Sequence, residues 1–402
     1  MKRIALVNQR YGLEVNGGSE DYTRMIAERL ANRYEVEVLT TKAVDYTTWK
    51  DWYARDVETI HGVTVRRFPV EKLRARDFNS YNEQYLQEAA AGQRSGAKER
   101  IWFEKQGPYS PACIQYIRQH KNDYDVFIFV TYLYYLTVAG LPEVAEKSIL
   151  IPTAHEEPYL HFLTYESLFT KPKAFIFLTD EERKLVRRTF PRTEPIPCDV
   201  MGTGVDIPCT PDAGKFRRQY GIQDEYLIYV GRIDEGKECP MLFRYFMEYK
   251  KRCGGRLKLV LMGKAVCEIP RHPDIIPLGF VPEEDKFHGI AGAKALVLPS
   301  KYESLSISVL EAMALSVPVL VNGACAVLKG HCTKSNGGLF YHNYFEFEGS
   351  VQYLLHHPVE YMQLCANARA YISRNYDWNV IMQKFSNVIE AVGGESPRMR
   401  ER

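Results

Sequence analysis

The sequence predicts an α/β protein made of two Rossmann-like halves in series. Three observations lead there: the length, a rhythm of short apolar runs alternating with longer amphipathic stretches, and one Pro- and Gly-rich segment at mid-chain. At 402 residues the chain exceeds one typical hydrophobic core and suits two domains. Runs of strand length stand at 4–7, 36–39, 63–68, 126–130, 149–151 and 175–178. A second set follows at 226–230, 257–261, 275–277, 296–298 and 317–321. Strand-length runs separated by helix-length stretches are the pattern of βαβ units around a parallel sheet.

Between the two sets lie Pro195-Ile196-Pro197 and Met201-Gly202-Thr203-Gly204-Val205-Asp206-Ile207-Pro208, suited to a linker. The expected domains are therefore 1–200 and 201–377, with a last helix and a polar tail over 378–402. Residues 71–107, rich in Arg, Lys, Gln and Glu, interrupt the strand rhythm of the first half and read as a helical insertion. Repeats and low-complexity tracts are absent from the sequence.

Composition narrows the classes of function. A hydrophobic content of 46% and a charged content of 25% fit an ordinary globular chain. Lys and Arg number 52 against 50 Asp and Glu, a formal charge of +2, too weak a field to make nucleic acid the main partner. The nine cysteines are irregularly spaced, with no CxxC pair and no zinc-ligand cluster, so free thiols in a reducing cytoplasm are expected. Residues 4–7 are too short an apolar stretch for a secretory leader and read as a first strand. The uncharged run 126–142 is shorter than a membrane span and reads as a strand entering a helix.

The strand at 226–230 runs into Gly231-Arg232-Ile233-Asp234-Glu235-Gly236-Lys237, with a helix expected to start near 237–240. Ligands of parallel sheets bind at strand C-termini. A lysine at a helix N-terminus opposes the macrodipole unless an anion sits there, and an arginine five residues earlier suits bidentate phosphate recognition. Next, Pro299-Ser300-Lys301-Tyr302-Glu303-Ser304-Leu305-Ser306 follows another buried run and opens a helix that carries Glu311. Eight residues of helix separate two carboxylates by about 12 Å, too far for one acid–base pair but suited to two ends of an extended ligand. The amides of Ser304, Leu305 and Ser306 are expected to be the free N–H groups of that helix.

With Gly231-Arg232, Lys237, Glu303 and Glu311 in this order, the chain resembles the retaining glycosyltransferases of family 4. The resemblance extends to Gly17-Gly18-Ser19-Glu20 after the first strand, His155 after the fifth, and Gly279-Phe280-Val281. It implies a GT-B fold, two Rossmann-like domains facing each other across a cleft, and transfer of a sugar from a nucleotide-sugar donor to a glycan or lipid-linked acceptor. A role in bacterial surface polysaccharide or glycoconjugate synthesis is the implied setting. On this resemblance Arg232 and Lys237 bind the donor diphosphate and Glu311 the ribose. Glu303 holds hydroxyls of the transferred sugar, and His155 approaches that sugar near the bond being broken. Gly17, Gly18, Phe280 and the amides of Ser304, Leu305 and Ser306 complete the donor contacts. Ser19 reads as a helix cap. Glu238 departs from the family, which favours a small residue there.

No metal and no other cofactor is expected. Asp123-Tyr124-Asp125 spells a DxD triplet, yet it precedes the strand at 126–130, at the edge opposite to ligands. A dehydrogenase is disfavoured because no GxGxxG joins a strand to a helix. A nucleotide-sugar 2-epimerase of the same fold and a catalytically silent nucleotide-sugar-binding protein stay open as alternatives. Finally, Arg66, Arg67, Lys72, Arg74 and Arg76, then Arg94, Lys98, Arg100 and Lys105, then Arg183, Lys184, Arg187 and Arg188 give the first half local basic clusters. They read either as solvated faces or as a surface for an anionic acceptor at the inner membrane face.

Overall fold

A computed structural model describes residues 1–15 and 17–394; of the polar tail expected at 393–402, residues 395–402 lie outside the described residues. The chain forms two compact units, one of Met1–Thr203 with the chain from Asn379 on, the other Gly204–Trp378.

The first unit is built on eight strands: β1 (Arg3–Val7), β2 (Glu35–Thr41), β3 (Val57–Ile60), β4 (Val63–Phe68), β5 (Val126–Val130), β6 (Ser148–Ile151), β7 (Ala174–Phe177) and β8 (Cys198–Val200). Their order is β3-β4-β2-β1-β5-β6-β7-β8, parallel except for β3, which pairs antiparallel with β4. Every residue of β5, β6 and β7 is buried. Helices cover both faces of such a sheet, which is why these strands read as unbroken apolar runs. Chain order reverses between β1 and β5, whose registers align Ile4 with Val126. In open α/β sheets the C-terminal edge at such a switch point is where ligands bind.

Two helices, Phe78–Ala90 and Gly96–Gln106, occupy the region read as a helical insertion. Trp102 meets Phe78 and Phe162 edge-on at 5.4 and 5.2 Å. Buried Glu99 accepts from Tyr85 Oη and from the amides of Leu163 and Thr164, each at 2.8 Å. One carboxylate thereby satisfies donors at the start of the helix Leu163–Leu168. The last helix, Trp378–Gly393, buries Ile381, Phe385 and Ile389 at four-residue spacing, a one-sided apolar stripe. Ser386 and Glu390 accept hydrogen bonds from Arg33 Nη1 at 3.0 Å and Tyr34 Oη at 3.3 Å.

Pro195 to Pro197, read as linker, instead lead into β8 at the sheet edge: Phe175 N donates to Pro197 O at 2.9 Å. Three residues are too few to carry a periodic signal, so the edge strand hides among the prolines.

The second unit holds six parallel strands: β9 (Tyr226–Val230), β10 (Lys258–Met262), β11 (Ile275–Gly279), β12 (Ala295–Leu298), β13 (Val319–Asn322) and β14 (Gly338–Tyr341). Their order is β11-β10-β9-β12-β13-β14. Its switch point lies between β9 and β12, so the loops that follow these two strands are neighbours at the edge where ligands of such sheets bind. No described helix is long and apolar enough to cross a membrane. The uncharged run resolves into β5 and the short helix Tyr135–Gly140. All nine cysteines are free.

Candidate functional site

The loop after β9 is shaped by glycine. Gly263, with φ +136°, lies so close to Gly231 that a Cβ on it would sit 1.9 Å from the Gly231 carbonyl. Only a residue without Cβ permits that approach and that φ. Gly231 N donates to Met262 O at 3.0 Å and Ile233 N to Lys264 O at 3.0 Å, so the loop after β10 holds the loop after β9 in place. Ile233 is fully buried and anchors the segment, while the Arg232 side chain remains 43% exposed and ion-paired through Nε to Asp234. Asp234 also accepts from Lys237 N at 2.8 Å.

Glu238 takes a left-handed conformation at φ +57° and the helix begins at Cys239. Lys237 therefore precedes the helix rather than sitting in its first turn, which relaxes the conflict with the macrodipole expected from sequence. Its Nζ donates instead to Glu303 Oε1 at 2.6 Å, and Lys301 Nζ lies 2.6 Å from Glu238 Oε1. Two ion pairs thus join the loops after β9 and β12 across the switch point.

The loop after β12 ends in a second left-handed residue. Leu305 is buried and its carbonyl accepts from His331 Nε2 at 2.9 Å. Ser306 at φ +69° then turns the chain into the helix Ile307–Ala314. The amides of Ser304 and Leu305 belong to the approach and Ser306 is the cap; the free first-turn donors of the helix start at Ile307. With Leu305 anchored inward, the helix starts three residues later than the sequence suggested. Ser300, on the same loop, is fully buried and its Oγ has no hydrogen-bond partner among the described residues.

Glu311, one turn into that helix, is 8% exposed. Burial raises its pKa, and Lys286 opposes the shift by donating from Nζ to Glu311 Oε1 at 2.7 Å. Lys286, on the helix Glu283–Ala291, escaped the sequence reading. Phe280 follows Gly279, which has φ +70°, and its ring is 78% exposed.

Gly17, Gly18 and His155 belong to the first unit. Gly17, not Ser19, caps the helix Gly18–Leu30. A Cβ on Gly17 would meet Glu20 Oε2 at 2.4 Å, and Ser19 Oγ donates to that oxygen at 2.7 Å. Glu20 is buried and paired with buried Arg10, whose Nε lies 2.9 Å from Oε1. His155 Nε2 lies 3.3 Å from Glu157 Oε2. Next to His155, the amide of Ala154 donates to buried Glu182 at 2.7 Å. The other Glu182 oxygen accepts from Leu178 N at 2.6 Å. Burial pushes the Glu182 carboxyl from 4.5 to about 8, against the backbone donors and His155.

The DxD triplet is structural: Asp125 Oδ2 accepts from Arg3 N at 2.8 Å and Asp123 Oδ2 lies 2.7 Å from His120 Nδ1. Among the described residues no three His, Cys, Asp or Glu side chains gather as a metal site.

The basic clusters of the first half are mostly neutralised. Arg66 and Arg67 pair with Glu37 and Glu58, and Lys72, Arg94, Lys98 and Lys105 with Glu104, Glu166, Glu88 and Asp77. Arg183, Arg187 and Arg188 pair with Asp180, Glu194 and Glu156.

Residues 212–371 match the family "Glycosyl transferases group 1". An uncharacterized glycosyltransferase of Methanocaldococcus jannaschii is 26% identical over 183 residues, 43% of this chain and 47% of its own length. The O-antigen chain mannosyltransferase B of Escherichia coli is 29% identical over 112 residues, 25% of this chain and 29% of that one. The chain thus spans less than half the length of these relatives. Among solved structures, sucrose-phosphate synthase from Thermosynechococcus elongatus superposes with a TM-score of 0.71 at 16% identity, covering 98% of this chain and all of that one. Anabaena HepE in complex with UDP and glucose gives 0.68 at 16% identity, with 97% and 100% covered. At such identities the likeness speaks to the fold, and both Rossmann-like units take part in it. The chain has the GT-B fold and carries a glycosyl transferases group 1 domain at residues 212–371.

Proposed function

We propose that the protein is a retaining glycosyltransferase that moves a sugar from a nucleotide-sugar donor to a glycan or lipid-linked acceptor in the cytoplasm, without a required metal. The observation that carries this reading is the pairing of Lys237 with Glu303 beside Arg232 at the β9/β12 switch point. Two cations held by carboxylates, 30% and 43% exposed, are placed to exchange those partners for the donor diphosphate. Charge grows on that diphosphate as the glycosidic bond breaks, and preorganised donors stabilise it there. Glu303, once released, accepts from hydroxyls of the transferred sugar. The backbone at Ser304, Leu305 and Ser306 adds donors. Glu311, kept against Lys286, accepts from the ribose hydroxyls. Phe280 flanks the base through its backbone. Gly17, Gly18 and His155 keep the roles that the family resemblance gives them.

The neighbours guide the choice of substrates. The HepE complex contains UDP and glucose, which makes a uridine diphosphate sugar the first donor to try. The E. coli mannosyltransferase acts on O-antigen chains by its name, which supports a surface-polysaccharide setting. A thermal-shift panel of UDP-, GDP-, ADP- and dTDP-sugars tests the donor class, since a ligand that binds only the folded state raises its melting temperature. At one hundred times Kd the expected stabilisation is about 2.7 kcal/mol. A flat response to all four classes contradicts the proposal. Proton NMR of the first-formed product tests retention: an anomer matching the donor supports it, and the opposite anomer overturns it.

A further inference from the structure

Of the thirteen basic residues that cluster in the first half, nine have carboxylate partners. Arg74, Arg76, Arg100 and Lys184 have no ion pair among the described residues, and of these only Arg74 is partly buried. Its backbone is fixed, with Arg74 N donating to Thr48 O at 3.1 Å and Ala75 N to Lys105 O at 3.0 Å. Its guanidinium carbon lies 4.2 Å from the centre of the Phe78 ring. Desolvation lowers its pKa, and the groups that act against this are Tyr134, Tyr159, Tyr46 and, last, Asp45. Asp45 is committed elsewhere, accepting from Thr47 N at 2.9 Å, Thr47 Oγ1 at 2.6 Å and Thr48 Oγ1 at 3.0 Å.

A partly desolvated cation without a counter-ion is costly. The surroundings are aromatic rather than acidic, and they lie at the ligand edge of the sheet. Tyr46 stands on the loop after β2, Tyr134 after β5 and Tyr159 after β6, around the β1/β5 switch point. Tyr134 also lies close enough to Arg10, Glu20 and Glu157 to feel their charge, which puts it beside the loops that carry Gly17 and His155.

We infer that Arg74, with Tyr46, Tyr134 and Tyr159, forms an acceptor subsite for a saccharide bearing an oxyanion, a phosphate or a carboxylate, next to its ring. The guanidinium fork suits a two-oxygen anion, and tyrosine faces suit the apolar face of a sugar ring. The word acceptor rests on the glycosyltransferase reading; the anion site itself does not.

Calorimetry on the full chain tests the subsite, with glucose 6-phosphate, glucuronate, inorganic phosphate and glucose as probes. All titrations are run in the Lys237→Ala background as well, so that phosphate taken up beside β9 is separated. Glucose 6-phosphate, glucuronate or both are expected to bind in either background, with affinity at least tenfold weaker in Arg74→Met and intermediate in Arg74→Lys, which keeps the charge and loses the fork. Preference between the two probes tells phosphate from carboxylate. Equal binding by wild type and Arg74→Met, glucose binding as tightly as the anions, or no binding of any anion overturns the inference. UDP titrated in parallel should respond to Lys237→Ala and not to Arg74→Met. A failure there counts against the donor reading and leaves the Arg74 result standing on its own.

Discussion

Lys237 Nζ donates to Glu303 Oε1 at 2.6 Å although the two residues are 66 positions apart. Both are residues that the donor is proposed to meet. Lys237→Ala and Arg232→Ala are expected to lower turnover by about 10²–10³ each, the usual loss when one preorganised donor to a developing charge is removed. Both side chains are partly exposed, so thermal unfolding should shift little. Initial rates at saturating donor check this; wild-type rates in both variants would remove the two cations from the site.

Lys286 and Glu311 form the second pair, at 2.7 Å, with the carboxylate nearly buried. Lys286→Met leaves that buried carboxylate without its cation and should weaken donor binding about tenfold or more, as Glu311→Ala does. Lys286→Arg should restore most of it. If the two act as a unit, the double variant is no worse than either single one. Calorimetric Kd values complete the cycle, and strictly additive losses would argue that the lysine acts independently.

Gly263 predicts a stability effect. Gly263→Ala brings a Cβ into the Gly231 carbonyl and adds a strained positive φ, a cost of about 1–3 kcal/mol from the backbone alone. Denaturant unfolding should show at least that loss, with donor affinity falling as the Arg232 loop shifts. A variant as stable as wild type would contradict the described approach of the two loops.

Glu182 predicts a pH dependence. Its carboxyl holds the proton more tightly in the folded chain, at about 8, than in the unfolded one near 4.5. Between these values the unfolded chain ionises first, so this group lowers stability as pH rises, fully above about 8. Glu182→Gln cannot ionise. The stability of the variant relative to wild type should therefore climb from pH 4.5 to 8 by on the order of 3–5 kcal/mol. Unfolding curves that run parallel over this range would show that Glu182 is ionised in the fold.

Much of this was legible in the sequence because the central strands are buried on both faces and read as continuous apolar runs. The loop Gly231 to Lys237 and the Glu303 and Glu311 pair stood out because they follow such runs. β3, β8 and β14 did not: VETI alternates on an antiparallel edge, β8 has three residues among prolines, and β14 begins with glycine. Helix starts were misplaced at Ser306 and Gly17. Ser306 takes a left-handed conformation without being Gly or Asn, and Gly17 caps without a side chain. Lys286 carries no local signal, and Glu182 carries only that of a helix start, three residues after the cap Thr179. Lys286 acquires Glu311, and Glu182 the amide of Ala154, only when the fold brings a distant element beside it.

Binding of a nucleotide-sugar diphosphate by the β9/β12 loops is the step on which the proposed function stands. Its most direct test is calorimetric titration of UDP-glucose, or of whichever donor the panel selects, into wild type and the Arg232→Ala/Lys237→Ala double variant. One site per chain in the wild type, with at least a hundredfold loss in a double variant of unchanged melting temperature, is the predicted result. Equal affinity in both proteins would contradict the account.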